Sequence, residues 1–223
     1  TFNILQAARE AGVGKIIHTS TSEVYGTAQF VPISEDHPIN PQSPYAASKA
    51  GADYLALSYF RSFNLPLVII RPFNTYGPRQ SARAIIPTIV TQILSGKKNI
   101  ELGSTYPTRD FTYVKDIING FISATESNQS TGEIINIGSS TEITIQDLAE
   151  LIAQITKIDI KIRIKNDRVR PKKSEVNRLK ADTQKAKKLL EWSPQYTLES
   201  GLKETIEWFE NNLTHYKSDA YNV

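Results

Sequence analysis

Lys15-Ile16-Ile17-His18-Thr19-Ser20-Thr21-Ser22-Glu23-Val24-Tyr25-Gly26 and, one loop later, Pro44-Tyr45-Ala46-Ala47-Ser48-Lys49 are the two stretches that decide the fold of this chain. Val13, Ile16 and Ile17 make the first a buried strand, which ends in hydroxyl residues and a carboxylate where Gly26 turns the backbone. Open α/β sheets hold their ligands at the carboxyl ends of strands, which is where this polar run falls. The second stretch opens a helix. Pro44 sets its entry, and Tyr45 and Lys49, four residues apart, share one face.

That pair suits proton transfer near neutral pH. A phenol ordinarily ionises near pH 10, so a base working near 7 needs roughly three units, about 4 kcal/mol, of preferential stabilisation of the phenolate. A neighbouring ammonium supplies part of this, and a bound cationic nicotinamide supplies more. Tyr45 then becomes a usable general base. By itself, Tyr-x-x-x-Lys is a surface pair on many amphipathic helices, so the reading rests on what accompanies it.

The 223 residues are 39% hydrophobic and 22% charged, proportions of a globular chain long enough for one large core or two small ones. No apolar run approaches the roughly 20 residues of a membrane span. The opening Thr1-Phe2-Asn3-Ile4-Leu5-Gln6-Ala7-Ala8 does not read as a signal peptide, and with no Met anywhere the sequence reads as a piece of a longer chain. Without Cys, disulfides, Cys zinc sites and thiol nucleophiles are excluded, which fits a cytoplasmic enzyme. His18, His37 and His215 lack metal-ligand spacing, so no metal is expected, and His18 reads as a strand-end residue. Net charge is only +3, yet residues 161–188 hold twelve Lys or Arg against three Asp or Glu. That run has no interleaved aromatics, so a solvated basic face or a diphosphate contact suits it better than nucleic acid.

Helical spacing from Thr1 to Ala11 stops at Gly12 and Gly14. Gly12-Val13-Gly14 is not a dinucleotide fingerprint, because it follows a helix, precedes a strand and lacks the third glycine. No glycine-rich phosphate loop occurs elsewhere in the sequence. A helix over Tyr45–Phe63 is expected to bury Tyr54, Leu55, Leu57 and Phe60. Leu67-Val68-Ile69-Ile70 reads as a short strand that brings Asn74 to the same sheet edge. A helix over 82–95, strands over 100–102 and 134–137, a helix capped by Thr144, a strand over 158–164 and helices over 186–190 and 198–213 complete the pattern. Residues 216–223 read as a tail.

Ser20-Thr21-Ser22-Glu23-Val24-Tyr25-Gly26, Tyr45-Ala46-Ala47-Ser48-Lys49 and Arg71-Pro72-Phe73-Asn74-Thr75-Tyr76-Gly77-Pro78-Arg79, in this order, resemble the extended short-chain dehydrogenase/reductases, and among them the nucleotide-sugar 4,6-dehydratases. The resemblance implies an α/β fold: the C-terminal part of a doubly wound Rossmann-type parallel sheet, from residues 1–80 and 104–138, plus a smaller α/β substrate-binding lobe from 81–103 and 139–215. It implies NAD as cofactor, with Thr19, Ser20, Tyr45, Lys49 and Pro72 holding it, and with the family's phosphate loop falling upstream of Thr1.

The same resemblance assigns catalysis to Thr21, Ser22, Glu23, Tyr45 and Lys49. Tyr45 takes the C4 hydroxyl proton, Thr21 bonds the same oxygen, and Glu23 removes the C5 proton. Asn74, Arg79, Arg109, Arg170 and Glu175 are implied substrate contacts, the arginines at 109 and 170 on a diphosphate and Glu175 on a ribose. For Arg109 the alternative is a salt bridge to Asp110 or Asp116. Many sugar 4,6-dehydratases carry Thr-Asp-Glu where this chain has Thr21-Ser22-Glu23. Dehydratases acting on GDP-mannose and nucleotide-glucuronate decarboxylases carry Ser there, so decarboxylation stands beside dehydration, followed by 4-epimerisation and a non-catalytic nucleotide-sugar binder. Across its whole length the match is most similar to dehydratases acting on UDP- or GDP-linked N-acetylglucosamine. A homodimer through the exposed faces of helices such as Tyr45–Phe63 is also implied, with no nucleic-acid or membrane partner.

Overall fold

The chain begins with α1 (Phe2–Glu10), β1 (Ile16–Thr19), α2 (Pro44–Phe63), β2 (Leu67–Pro72) and β3 (Asn74–Tyr76), then α3 (Ile85–Leu94), β4 (Asn99–Leu102), β5 (Thr108–Arg109), β6 (Phe111–Tyr113) and α4 (Val114–Glu126). It continues through β7 (Ile134–Ile137), β8 (Ile143–Thr144), α5 (Ile145–Thr156), β9 (Lys161–Ile164), α6 (Gln184–Leu190) and α7 (Leu198–Asn212). This computed structural model describes residues 1–216. Of the expected tail, 217–223 lie outside the described residues. Tyr216 packs on Trp208 and Phe209, and its hydroxyl donates to the Gln80 carbonyl at 2.9 Å.

β1, β2 and β7 form a parallel sheet in that spatial order, β2 being central. Strand side chains alternate between faces, and both faces of the central β2 are covered, whereas β1, expected to be buried, is an edge strand that is only half-buried, and Val13 lies before it and is exposed. On one face, Leu67 and Ile69 pack with Leu5 of α1 and with Ala56 and Tyr59 of α2. On the other, Val68 and Ile70 pack with Ile117 and Ala124 of α4 and with Ala186 and Leu190 of α6. Each fully buried Ile or Leu here contributes roughly 2 kcal/mol. The sheet is the expected parallel α/β arrangement. α6 lies against β7 and α4, on the sheet, although the sequence pattern grouped it with the lobe.

α2 forms because Ser43 caps it, accepting from Ala46 N at 3.1 Å, with Pro44 in the first turn. Asn64, in a left-handed conformation, ends it. The face it buries differs from the expected one. Ala46, Ala50, Asp53, Ala56 and Tyr59 face the sheet, whereas Tyr54 is 61% exposed and Leu55, Leu57 and Phe60 are only half-buried. Small residues at helical spacing let the helix sit close on the strands. A stripe chosen by side-chain size rather than by period points about a quarter-turn away.

α3, α5 and α7 enclose a second core with Tyr76, Ile100, Leu102, Phe111 and Tyr113. β3 pairs with β6 and β4 with β9, both in parallel, while β5 and β8 are antiparallel. Thr144 caps α5 as expected, accepting from Asp147 N at 3.0 Å. Among the described residues no helix is long and apolar enough to cross a membrane.

Where the two cores meet, the connecting strands are too short to satisfy one another, and a carboxylate does so instead. Asp110, fully buried, accepts from Ser139 N at 2.7 Å, Ser140 N at 2.9 Å and Ala181 N at 3.0 Å, and from the Ser139 hydroxyl at 2.7 Å. Burial pushes its carboxyl above the usual range, and these donors oppose the shift. Asp110→Ala strands three backbone donors, so chemical denaturation should register a loss of at least about 3 kcal/mol. An unchanged midpoint would mean the segments hold without it.

Candidate active site

The carboxyl end of β1 runs into a single 3-10 turn, Ser22–Tyr25. Thr21 caps that turn, its Oγ1 accepting from Glu23 N at 3.2 Å. Val24 and Tyr25 are fully buried and anchor the turn, leaving Thr21 and Glu23 half-exposed. Gly26 closes it at φ +64, where a Cβ would lie 2.2 Å from the Asn40 carbonyl oxygen, so no side chain fits.

Thr19, Ser20, Thr21, Ser22, Glu23 and Tyr45 line one wall of a cleft of about 550 Å³. Pro72 and Asn74, at the β2–β3 junction, continue that wall. Arg109, Arg170 and Glu175 line it as well. Tyr45, 57% exposed, stands at the start of α2. Lys49 is outside the lining, and its Nζ donates to the Thr19 carbonyl. Arg79 is also outside it, exposed at a turn of φ +65. The Oδ1 atom of Asn74 is buried without a hydrogen-bond partner, which leaves an unused acceptor at the cleft wall.

Arg109 is only 8% exposed. Its Nη1 donates to the Thr108 carbonyl at 2.9 Å and its Nη2 to Glu175 Oε1 at 3.2 Å. Its ion-pair partner is thus Glu175, not the adjacent Asp110 or Asp116. Asp116 instead accepts from Gln195 N and Tyr196 N, both at 3.0 Å. Burial lowers the Arg109 pKa, the Glu23 and Glu175 carboxylates oppose this, and Arg170 adds to it.

Sequence reasoning missed other lining residues. Gln80 and Arg83 enter from the loop before α3, Thr88 from α3 and Glu101 from β4, and Phe111 and Ile145 add an apolar floor. Arg168, in the same Arg-x-Arg as Arg170, donates to the Glu101 carbonyl at 2.6 Å and to its carboxylate at 3.3 Å. That repeat was the one available signal for it. Arg83 had no such marker.

Beneath the cleft lies a buried polar network. Asp53 of α2 accepts from Ser20 Oγ at 2.8 Å and from Arg71 Nε at 3.0 Å, and His18 Nε2 lies 3.2 Å from its other oxygen. Arg71 also donates to Tyr25 Oη at 2.9 Å, and Tyr25 Oη donates to Asn136 Oδ1 at 2.8 Å. His18 is therefore a structural strand-end residue.

The family described as GDP-mannose 4,6 dehydratase matches residues 1–205. The human protein "dTDP-D-glucose 4,6-dehydratase" is 34% identical over 221 residues, covering 98% of this chain and 63% of that protein. The chain thus spans less than two thirds of that relative's length. A crystal structure of dTDP-glucose 4,6-dehydratase from Bacillus anthracis in complex with NAD superposes with a TM-score of 0.85 at 32% identity, over 95% of this chain and 66% of that one. UDP-glucuronic acid 4-epimerase from Bacillus cereus, in complex with UDP-glucuronic acid and NAD, gives 0.86 at 32% identity, over 94% and 65%.

Burial pushes the Tyr25 phenol from 10.0 up to about 12, against the opposing charge of Arg71. The unfolded chain ionises this phenol near pH 10 and the folded one does not. The stability it contributes is therefore intact below 10 and is lost as pH rises toward 12, by roughly 2 to 3 kcal/mol. Urea unfolding between about pH 9 and 12 should show this loss, and Tyr25→Phe should remove its share of the pH dependence. Equal slopes in the two proteins would place the buried phenol elsewhere.

Proposed function

The chain belongs to the GDP-mannose 4,6-dehydratase family of extended short-chain dehydrogenase/reductases, enzymes of nucleotide-sugar dehydration and epimerisation, and from that premise we propose that the protein converts a nucleotide-activated hexose to its 4-keto-6-deoxy derivative. The observation that carries this reading is that Glu23 and Tyr45 line the same cleft. An epimerase acting at C4 needs no base for C5, and Glu23 would then have no task.

The NAD of the related structures fits this wall in part. Thr19, Ser20 and Pro72 would face its nicotinamide end, and the unpaired Asn74 Oδ1 offers an acceptor there. These 223 residues contain no glycine-rich turn for its pyrophosphate. When bound, NAD supplies hydride acceptance from C4 and hydride return to C6.

Tyr45 Oη takes the proton of the C4 hydroxyl. Thr21 Oγ1 already accepts from Glu23 N, so its own hydroxyl proton is left to donate to the same sugar oxygen. Lys49, by holding the Thr19 carbonyl, keeps the end of β1 against α2 and so keeps Tyr45 on the same cleft as Thr21. The 4-ketone acidifies the C5 proton, which the Glu23 carboxylate removes. The hydroxyl at C6 then leaves as water with the proton Glu23 returns, and C5 takes its replacement proton from solvent once C6 is reduced. Ser22, which replaces the acid found in many relatives, is buried and leaves both transfers to Glu23.

Arg170 and Arg109 would receive the diphosphate, and Glu175, once released from Arg109, the ribose. Residues 1–80 and 104–138 would serve the cofactor and 81–103 and 139–215 the sugar nucleotide, with α6 bracing the sheet. A cytoplasmic homodimer would bury the exposed Phe2, Ile4, Tyr54 and Phe63 of α1 and α2.

Complete protein incubated with NAD and dTDP-, UDP- and GDP-hexoses should yield a 4-keto-6-deoxy product carrying solvent deuterium at C5. Tyr45→Phe should lower turnover by at least about a hundredfold. Glu23→Gln should still permit oxidation at C4 while blocking elimination. Carbon dioxide released from UDP-glucuronate, inversion at C4 without loss of water, or normal elimination by Glu23→Gln would each overturn the proposal.

A further inference from the structure

Glu23 and the diphosphate-side residues Arg170 and Glu175 sit on segments about 150 positions apart, yet one side chain joins those segments. Gln42, in the loop before α2, accepts from Thr27 N through Oε1 at 2.5 Å and donates through Nε2 to the carbonyls of Lys173 at 3.0 Å and Glu175 at 3.3 Å. Its orientation is fixed by chemistry, since an N–H faces the oxygen and two carbonyls face the nitrogen. Thr27 follows directly after Gly26, which closes the turn carrying Glu23. The Thr27 hydroxyl adds to the join, with Asn177 N donating to it at 3.0 Å. Beneath it, Val176 is buried against Val24 and Tyr25. Ahead of the buried Val176, the strap is exposed from Arg170 through Lys173, and its backbone turns through Ser174 N and Glu175 N donating to the Pro171 carbonyl at 2.9 and 3.1 Å.

We infer that Gln42 is a positioning residue, a clasp that holds the Arg170–Val176 strap over the anion side of the cleft and ties it to the Glu23 turn. The inference rests on the dehydratase reading for its kinetic consequence but not for the clasp itself. The amide works as two separable halves: its acceptor steadies the turn that aims Glu23, and its donor steadies the strap that carries Arg170 and Glu175. Occupation of the anion side by a nucleoside diphosphate therefore acts on the strap half first and reaches the turn through Gln42.

Gln42→Glu keeps the acceptor for Thr27 N but removes both donated bonds, whereas Gln42→Ala removes all three. In complete protein, Gln42→Glu should raise KM for the nucleotide sugar about tenfold and change kcat by less than about twofold, while Gln42→Ala should also lower kcat through slower solvent exchange at C5. Trypsin cleavage after Lys172 and Lys173, followed by mass spectrometry without nucleotide and with saturating UDP, dTDP or GDP, should run about tenfold faster in Gln42→Glu than in the parent. Nucleotide should slow cleavage in the parent more than in either variant. Parent-like KM and cleavage in Gln42→Glu, or a loss of kcat alone equal to that of Gln42→Ala, would overturn the clasp. Should the parent turn over no nucleotide sugar, the function proposed above fails, and the cleavage rates decide the clasp alone.

Discussion

A carboxylate shut away from water must be met by donors, and at Asp53 that requirement fixes the geometry of everything above it. Asp53 is 2% exposed and lies on α2 eight residues after Tyr45. Its donors come from two neighbouring strands, Ser20 just beyond β1 and Arg71 in β2, with His18 at its second oxygen. Sliding α2 by one turn would leave Arg71 and Asp53 buried and apart, which is far costlier than any apolar mismatch nearby. The helix thus has one docking position, in which Tyr45 lines the same cleft as Thr21 and Glu23. The Lys49 contact to the Thr19 carbonyl repeats the constraint one turn earlier.

Acids play the same organising part elsewhere. Asp110 and Asp116 collect backbone N–H groups from segments that no regular strand pairs: Ser139, Ser140 and Ala181 in one case, Gln195 and Tyr196 in the other. The two-residue strands β5 and β8 supply little ladder of their own. Buried carboxylates replace missing sheet, and the price is that each becomes intolerant of loss.

What the sequence made legible was local or periodic. Strand ends, the Tyr45 and Lys49 spacing, the cap at Thr144, the helix entry at Pro44 and the hydroxyl-rich turn all depend on residues close in the chain. What it hid was long-range. The partner of Arg109 lies 66 residues away at Glu175, so nearby Asp110 and Asp116 looked equally available. Arg79 belongs to a well-marked motif, yet it sits exposed at a left-handed turn and outside the cleft lining. α2 was read by side-chain size, and its true contact stripe is alanine, which carries no hydrophobic signal of comparable strength. α6 carries too few residues to show which core it joins.

The ion pair between Arg109 and Glu175 bears on how the cleft meets an anion. Its most deeply buried cation is not waiting bare, because an internal carboxylate already sits on it. A diphosphate received as proposed would therefore arrive as a competitor, trading places with a tethered rival at high local concentration. Binding of this kind would discriminate by geometry more than by charge, since stray phosphate would gain little by the exchange while a ligand that also occupied the displaced carboxylate would gain at both ends.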